Sequence, residues 1–157
     1  MVAENVLQSR TESSAKRIGR EMILRLQALS DDELARMVAA TAEGRKVWIW
    51  IAVCRSYRLI REFAVEVVRE RYLSGNREPL GYGNFDAFYE RKAWASDELT
   101  HASELTRRKL RQKAFQLLAE AGLITDEKNV QGVLIDEKTL AAIPAEEYAY
   151  FPMYVRR

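Results

Sequence analysis

The chain has 157 residues, of which 48% are hydrophobic and 31% are charged, a size and composition that suit one domain with its own core. A single cysteine, Cys54, and a single histidine, His101, exclude a disulfide framework within the chain and any zinc site built from several thiolates. With 25 basic and 23 acidic residues the net charge is only +2, so a charge-dependent function must come from the distribution of charge along the chain.

Neither a secretory signal nor a membrane span is predicted. The first residues contain an acid where a signal peptide has its basic region, and no apolar stretch follows. The most apolar run, Val47–Val53, is short, whereas a membrane helix needs about 20 such residues. We therefore expect a cytoplasmic protein without membrane contacts, in which this run is buried on all sides.

Apolar residues recur at helical spacing through the first half of the chain. An amphipathic helix is predicted over 14–29. Its apolar face is formed by Ile18, Met22, Ile23, Leu26 and Leu29. Ser30 and Glu33 have the spacing of a capping box, which predicts a short helix that ends at Gly44. This short helix carries Leu34, Met37 and Val38. A further helix is predicted over about 45–73.

Capping residues divide the second half. After a loop at 79–83, Asn84 caps a helix whose apolar residues are Phe85, Phe88, Tyr89 and Trp94. Ser96 caps a long helix to Ala121, and Gly122 stands where a left-handed residue ends a helix. The pattern of 123–135 predicts a short β-hairpin. A last short helix begins after Asp136 and stops at Pro144.

Positive charge is concentrated in Leu105–Lys113, which contains five cations and no acid. Clustered arginine and lysine side chains suit the phosphates of a nucleic acid. The predicted nucleic-acid-binding residues of this helix are Arg107, Arg108, Lys109, Arg111 and Lys113. The alternative is a solvated helix face whose cations pair with Glu104 or Glu120.

A basic helix followed by a hairpin is typical of the second half of a winged helix-turn-helix. In that arrangement the helix enters the major groove and Lys128, on the wing, contacts the DNA backbone. Phosphate contacts carry no sequence information, and Gln112 is the only candidate for a base edge, so we expect little sequence specificity. A second basic group would extend this surface; it comprises Lys16, Arg17, Arg20 and Arg25.

The other motifs indicate no catalytic site. Glu98 and His101 form one Glu-x-x-His step, whereas a di-iron bundle needs two such steps and further glutamates. Cys54 is predicted to be an ordinary buried thiol. We therefore expect no enzyme activity, no catalytic residues, no metal and no cofactor. The aromatic residues near the C-terminus either form a docking strip for another protein or pack on the core; they are Tyr148, Tyr150, Phe151 and Tyr154.

Several ordered blocks of sequence resemble the BrxA family. These blocks are Cys54–Val67, Phe85–Tyr89, Leu105–Gln112 and Leu117–Ile124, and the resemblance covers about 15–143. BrxA proteins are encoded with bacteriophage-exclusion (BREX) defence systems. The resemblance implies a small, largely helical, non-enzymatic DNA-binding component with similarity to winged helices. It also implies that the protein acts together with a DNA methyltransferase, a phosphatase-like protein and an ATPase.

Together these observations predict a mainly α, compact multi-helix single domain spanning 1–157. Its predicted parts are a helical region at about 14–95, a winged-helix-like region with a small β-hairpin at about 96–143, and an aromatic tail at 144–157. The predicted function is a DNA-binding accessory component of phage defence, with double-stranded DNA and other BREX proteins as partners. The alternative is an adaptor that assembles other defence components through its tail and helix faces.

Overall fold

The computed structural model describes residues 16–17 and 19–153, and all regular structure in this part of the chain is helical. A first helix, α1, includes 19–26. The α-helices that follow are α2 (Asp31–Ala39), α3 (Ala42–Ser56), α4 (Arg58–Phe63), α5 (Glu70–Leu73), α6 (Tyr82–Ala93), α7 (Asp97–His101), α8 (Glu104–Glu120) and α9 (Glu137–Ala142). A π-helical segment, Ala64–Arg69, joins α4 to α5, and a 3₁₀ helix, Ala145–Tyr150, follows α9.

The first two helices confirm the capping box and correct the orientation of several apolar residues. The Glu33 amide donates to the Ser30 hydroxyl over 3.2 Å, and the Ser30 amide donates to the Glu33 carboxylate over 2.9 Å. Leu29 is buried, whereas Ile23 and Val38 are exposed. Helical spacing does not decide which neighbour covers each residue, and the edges of the predicted apolar faces therefore lie in solvent. Ile18, predicted on the same face, lies outside the described residues.

Helix α3 carries the apolar run and lies at the centre of the core. Every residue of Val47–Val53 except Ile49 is buried, which confirms the prediction for nearly all of the run. Gly44 does not end a helix as predicted. It lies in the first turn of α3, where its amide donates to the Thr41 hydroxyl over 3.2 Å. Because Thr41 supplies the cap, the glycine is accommodated inside the helix.

The helix predicted over 45–73 is interrupted at Tyr57. This residue has extended backbone angles (φ −123°, ψ 98°) and separates α3 from α4. The Arg25 guanidinium lies over the Tyr57 ring, 5.5 Å from its centroid. Such a contact between distant segments is invisible to a pattern of apolar spacing, and so is the π-helical segment that follows.

Four phenylalanines pack together in the core where α4, α6 and α8 meet: Phe63 from α4, Phe85 and Phe88 from α6, and Phe115 from α8. The Phe63 ring lies 5.2 Å from the rings of Phe85 and Phe88 and 6.2 Å from that of Phe115. Trp94, named with Phe85 and Phe88 among the apolar residues of the predicted helix, is 93% exposed. It follows the last residue of α6, beyond the turns that pack against this cluster.

The long helix predicted from Ser96 to Ala121 is two helices. Ser96 caps α7, the chain becomes extended at Ala102 (ψ 140°), and Ser103 then caps α8 by accepting from the Thr106 amide over 3.1 Å. Two capping serines therefore create two helix starts. Gly122 has a φ of 74°, which confirms the predicted left-handed residue after α8.

The predicted β-hairpin is wrong. Within 123–135 the structure has one isolated antiparallel bridge, between Ile124 and Val130, and no strand. A tight turn joins the two residues, with Lys128 in the left-handed region at φ 65°. The chain then leaves its expected partner, because the Val133 amide donates to the Pro152 carbonyl over 3.2 Å. The described chain therefore has no hairpin that could act as a wing.

The aromatic residues near the C-terminus pack on the core, which is the second of the two predicted alternatives. The Trp50 indole donates to the Tyr150 carbonyl over 2.8 Å, and the Tyr148 hydroxyl donates to the Leu140 carbonyl over 2.7 Å. Phe151 is buried, and Tyr154 lies outside the described residues. Buried residues from 29 to 153 thus belong to one cluster, and these tail aromatics form no free docking strip.

An ion network links α2, α3 and the 3₁₀ helix. All five N–H groups of Arg55 have acceptors: two bonds reach Glu147 (2.8 and 2.5 Å), two reach Glu33 (2.7 and 2.9 Å), and one reaches the Ala28 carbonyl (2.9 Å). The Glu147 side chain is only 7% exposed. Arg55 therefore holds together three segments that are distant in sequence.

This network predicts that the free energy of unfolding falls in acid. The hydrogen bond from Arg55 is the main cause that holds the pKa of Glu33 below its usual value of 4.5. A carboxyl whose pKa is lowered by folding stabilises the protein above its unfolded pKa, and that stability is lost as pH falls through the folded pKa. Urea unfolding from about pH 5 to about pH 3 should therefore show a smaller loss for Glu33→Gln than for the wild type. Equal losses in the two proteins would contradict this assignment.

Candidate nucleic-acid interface

The basic helix α8 packs antiparallel to α6. Tyr82, at the start of α6, meets Phe115 near the end of α8 in an edge contact with ring centroids 4.9 Å apart. One turn further along α6, Asp86 contacts Arg111, and Glu90, a turn beyond that, contacts Arg107. Two cations of α8, Arg107 and Arg111, therefore face a row of α6 side chains at helical spacing.

Asp86 engages two of the predicted nucleic-acid-binding arginines. Nη1 of Arg111 donates to both carboxylate oxygens of Asp86, over 2.9 and 3.2 Å. Nε of Arg107 lies 3.9 Å from Asp86 Oδ1, and its Nη2 donates to the Asp86 carbonyl over 3.2 Å. The same Nη2 contacts Glu90 Oε1 at 3.2 Å. Both guanidinium groups are therefore held against α6.

Aromatic rings support these cations from below. The Arg107 guanidinium lies 4.8 Å from the Tyr89 ring centroid, and that of Arg111 lies 4.4 Å from the Tyr82 centroid. Lys128, predicted on a wing, places its ammonium 4.1 Å from the same Tyr82 ring. Cations over aromatic faces are attracted by the ring quadrupole. The fold thus brings three predicted site residues, Arg107, Arg111 and Lys128, onto one aromatic shelf.

The remaining predicted cations of α8 point elsewhere. The Arg108 side chain is 58% exposed, and its contact with Glu104 is long, at 3.9 Å. Lys109 is exposed and makes no ion pair within the described part of the chain. Lys113 turns to the other side and contacts Glu21 at 3.1 Å. The six predicted residues therefore form an outward pair, a shelf group of three and one lysine on the α1 side.

Tyr82, Asp86 and Tyr89 are members of this surface that the sequence analysis did not select. The i, i+4 spacing of Tyr82, Asp86 and Glu90 is a usable signal, because it places an aromatic and two acids on one face of α6. Nothing in the sequence alone indicates that this face meets Arg107 and Arg111.

The groups weighed for catalysis are a buried thiol and an exposed imidazole. Cys54 is fully buried, and burial raises the pKa of its thiol. His101 is exposed at the end of α7, with Nδ1 2.7 Å from the Asp97 carbonyl oxygen. Among the residues that the structure describes, no three His, Cys, Asp or Glu side chains are grouped so that they could hold a metal ion. No helix in that part of the chain is both long and apolar enough to cross a bilayer.

The fold and this surface define a small helical protein with an exposed basic helix braced by aromatic and acidic side chains. The chain belongs to the BrxA family, because the family model matches residues 1–147. This match confirms the resemblance seen in the sequence.

A curated relative and a solved structure are similar to the chain. The relative, "BREX protein BrxA" from Bacillus cereus (strain H3081.97), is 29% identical over 127 residues, which make up 81% of this chain. The matched region spans 63% of that relative's length. The solved structure is the "Crystal structure of an uncharacterized protein from Magnetospirillum magneticum", with a TM-score of 0.72 and 25% identity, covering 94% of this chain and 75% of the other.

Proposed function

We propose that this protein is a non-enzymatic, cytoplasmic DNA-binding component of a BREX phage-defence system. Membership of the BrxA family and the name of the curated relative support the defence role. The observation that carries the DNA-binding role is the outward pair Arg108 and Lys109, which project from a segment of α8 with five cations and no acid. Such a surface follows the phosphates of a duplex without reading its sequence.

The proposed phosphate contacts differ in how exposed each cation is and in whether it is already paired with an acid. Arg108 and Lys109 bind phosphates directly, because solvent already surrounds them. Arg107, Arg111 and Lys128 extend the same surface along the aromatic shelf, and Lys113 lies at its α1 side. Without a hairpin, Lys128 contributes from a turn, so the contact differs from that of a winged helix.

Fluorescence anisotropy with an arbitrary duplex at several salt concentrations tests this proposal. We expect the double variant Arg108→Ala/Lys109→Ala to bind about tenfold more weakly or worse, with the salt slope reduced by about two phosphate contacts. A second duplex of unrelated sequence should give the same result within about threefold. Phosphate binding, rather than base recognition, explains both expectations.

The matched control is Arg36→Ala/Lys138→Ala, which removes two exposed cations from a groove between α2 and α9. This variant should bind DNA like the wild type, because its cations are not on the proposed surface. Equal losses in the two double variants would show that only net charge matters. Absence of wild-type binding at low salt would overturn the proposal.

A second candidate function is an adaptor for other BREX proteins. The tail packs on the core, so the adaptor surface would have to be a helix face, and the exposed indole of Trp94 favours one beside α6. Tryptophan is enriched among the residues that dominate protein interfaces. Co-purification of defence proteins that is lost in Trp94→Ala, while DNA affinity is unchanged, would support this function.

A further inference from the structure

We propose that Asp86 is an internal phosphate mimic that occupies Arg107 and Arg111 in the free protein and so limits affinity for DNA. This inference rests on the proposed DNA-binding function and adds a regulatory residue to the same surface. It identifies a carboxylate that DNA must displace before the whole basic helix can engage the backbone.

The geometry of Asp86 is that of an oxyanion between two guanidinium groups. Both of its carboxylate oxygens accept from Nη1 of Arg111, and Oδ1 also faces Nε of Arg107 at 3.9 Å. Arginine binds carboxylates and phosphates with the same planar fork of donors. A DNA phosphate that reached these arginines would therefore compete for the position that the carboxylate now holds.

The contact is exposed enough to be displaced. The side-chain exposed fractions are 35% for Asp86, 29% for Arg107 and 20% for Arg111. Ion pairs that water reaches contribute little to stability, so exchanging one oxyanion partner for another is a small change for the fold. The carboxylate nevertheless removes one unit of positive charge from the surface that meets DNA.

The arginines have donors that Asp86 does not use. Nε of Arg111 is buried and has no hydrogen-bond partner, because the carboxylate engages only Nη1 of this group. A phosphate offers more acceptor oxygens than the single carboxylate of Asp86. Because this Nε is shielded from solvent, a phosphate engages it only if the Arg111 side chain shifts toward the ligand.

Contacts other than the Asp86 carboxylate also hold the two arginines in position. The Arg107 guanidinium lies on Tyr89 and that of Arg111 on Tyr82, while Glu90 gives Arg107 a further contact at 3.2 Å. Removing the Asp86 charge should therefore leave both guanidinium groups over their rings. The expected consequence is stronger DNA binding, the opposite of what loss of a positioning residue would cause.

Anisotropy titrations of the full chain with an arbitrary duplex test this inference. Asp86→Asn should lower Kd by about threefold to tenfold and steepen the salt slope by about one to two phosphate contacts. Asp32→Asn is the matched control, because it makes the same charge change at an exposed position of α2 and should alter Kd by less than about twofold. Adding Arg111→Ala to Asp86→Asn should abolish the gain.

Each outcome decides between the two proposals. If the wild type binds with a steep salt dependence and Asp86→Asn binds equally or more weakly, the phosphate-mimic role is wrong and the DNA-binding function stands. If neither protein binds DNA, both proposals fail. Asp86→Ser is a second variant at this partly exposed helix position, and melting curves establish that each protein is folded before its affinity is compared.

Discussion

Replacing Arg55 with methionine is expected to lower the free energy of unfolding by about 3–5 kcal/mol. The substitution removes all five hydrogen bonds of the guanidinium and leaves Glu33 and Glu147 facing each other without a cation. Uncompensated buried charge is among the most destabilising changes a protein can undergo. Urea denaturation at neutral pH measures the loss.

The control is Arg58→Met, which removes an arginine from a helix surface. The Arg58 side chain is 81% exposed and its partner Glu62 lies one turn away, so this loss should stay below about 0.5 kcal/mol. Adding Glu33→Gln and Glu147→Gln to Arg55→Met should restore part of the stability, since no buried charge then remains. A small loss in Arg55→Met, similar to that of Arg58→Met, would show that the network does not stabilise the fold.

Phe63→Ala is the second substitution with a large expected effect, a loss of about 3–5 kcal/mol in the free energy of unfolding. Phe63 is fully buried where α4 meets the π-helical segment, and its ring contacts those of Phe85, Phe88 and Phe115. Truncation leaves a cavity beneath both α6 and α8. Thermal and urea unfolding measure the change.

Trp94→Ala is the matched control for the removal of an aromatic side chain. Because Trp94 is almost entirely exposed, its loss should change the free energy of unfolding by less than about 0.5 kcal/mol. If Phe63→Ala is no more destabilising than Trp94→Ala, the phenylalanine cluster is not the structural support of the basic surface. Near-ultraviolet circular dichroism of the folded Phe63→Ala protein would report loosened packing of the remaining rings.

Local signals in the sequence identified several helix ends. Ser30, Asp136 and Gly122 act through their own side chains or backbone freedom within a few residues, and all three lie where the sequence predicts them. At the break in the 45–73 helix and in the predicted hairpin, the residues instead contact segments far along the chain: Tyr57 contacts Arg25, and Val133 bonds to Pro152. No pattern of neighbouring residues contains that information.

The candidate surface divides in the same way. The concentration of cations in α8 is a property of the sequence alone, and their assignment to DNA stays a prediction. Their orientation is not encoded locally, because Asp86 lies 25 positions before Arg111. Sequence reasoning treated the five helix cations as equivalent, whereas the structure distinguishes those held by α6 from those exposed to solvent.

The packing of the C-terminal segment against Trp50 has a consequence for folding during synthesis. The indole of Trp50 bonds to a carbonyl 100 positions later, and Arg55 bonds to a carboxylate 92 positions later. During synthesis, α3 therefore emerges from the ribosome long before the hydrogen-bond acceptors of its Trp50 and Arg55 side chains. Its apolar surface can be bound by chaperones during that interval. Closure of the core waits for the segment around residues 147–153, and contacts of such long sequence separation slow folding.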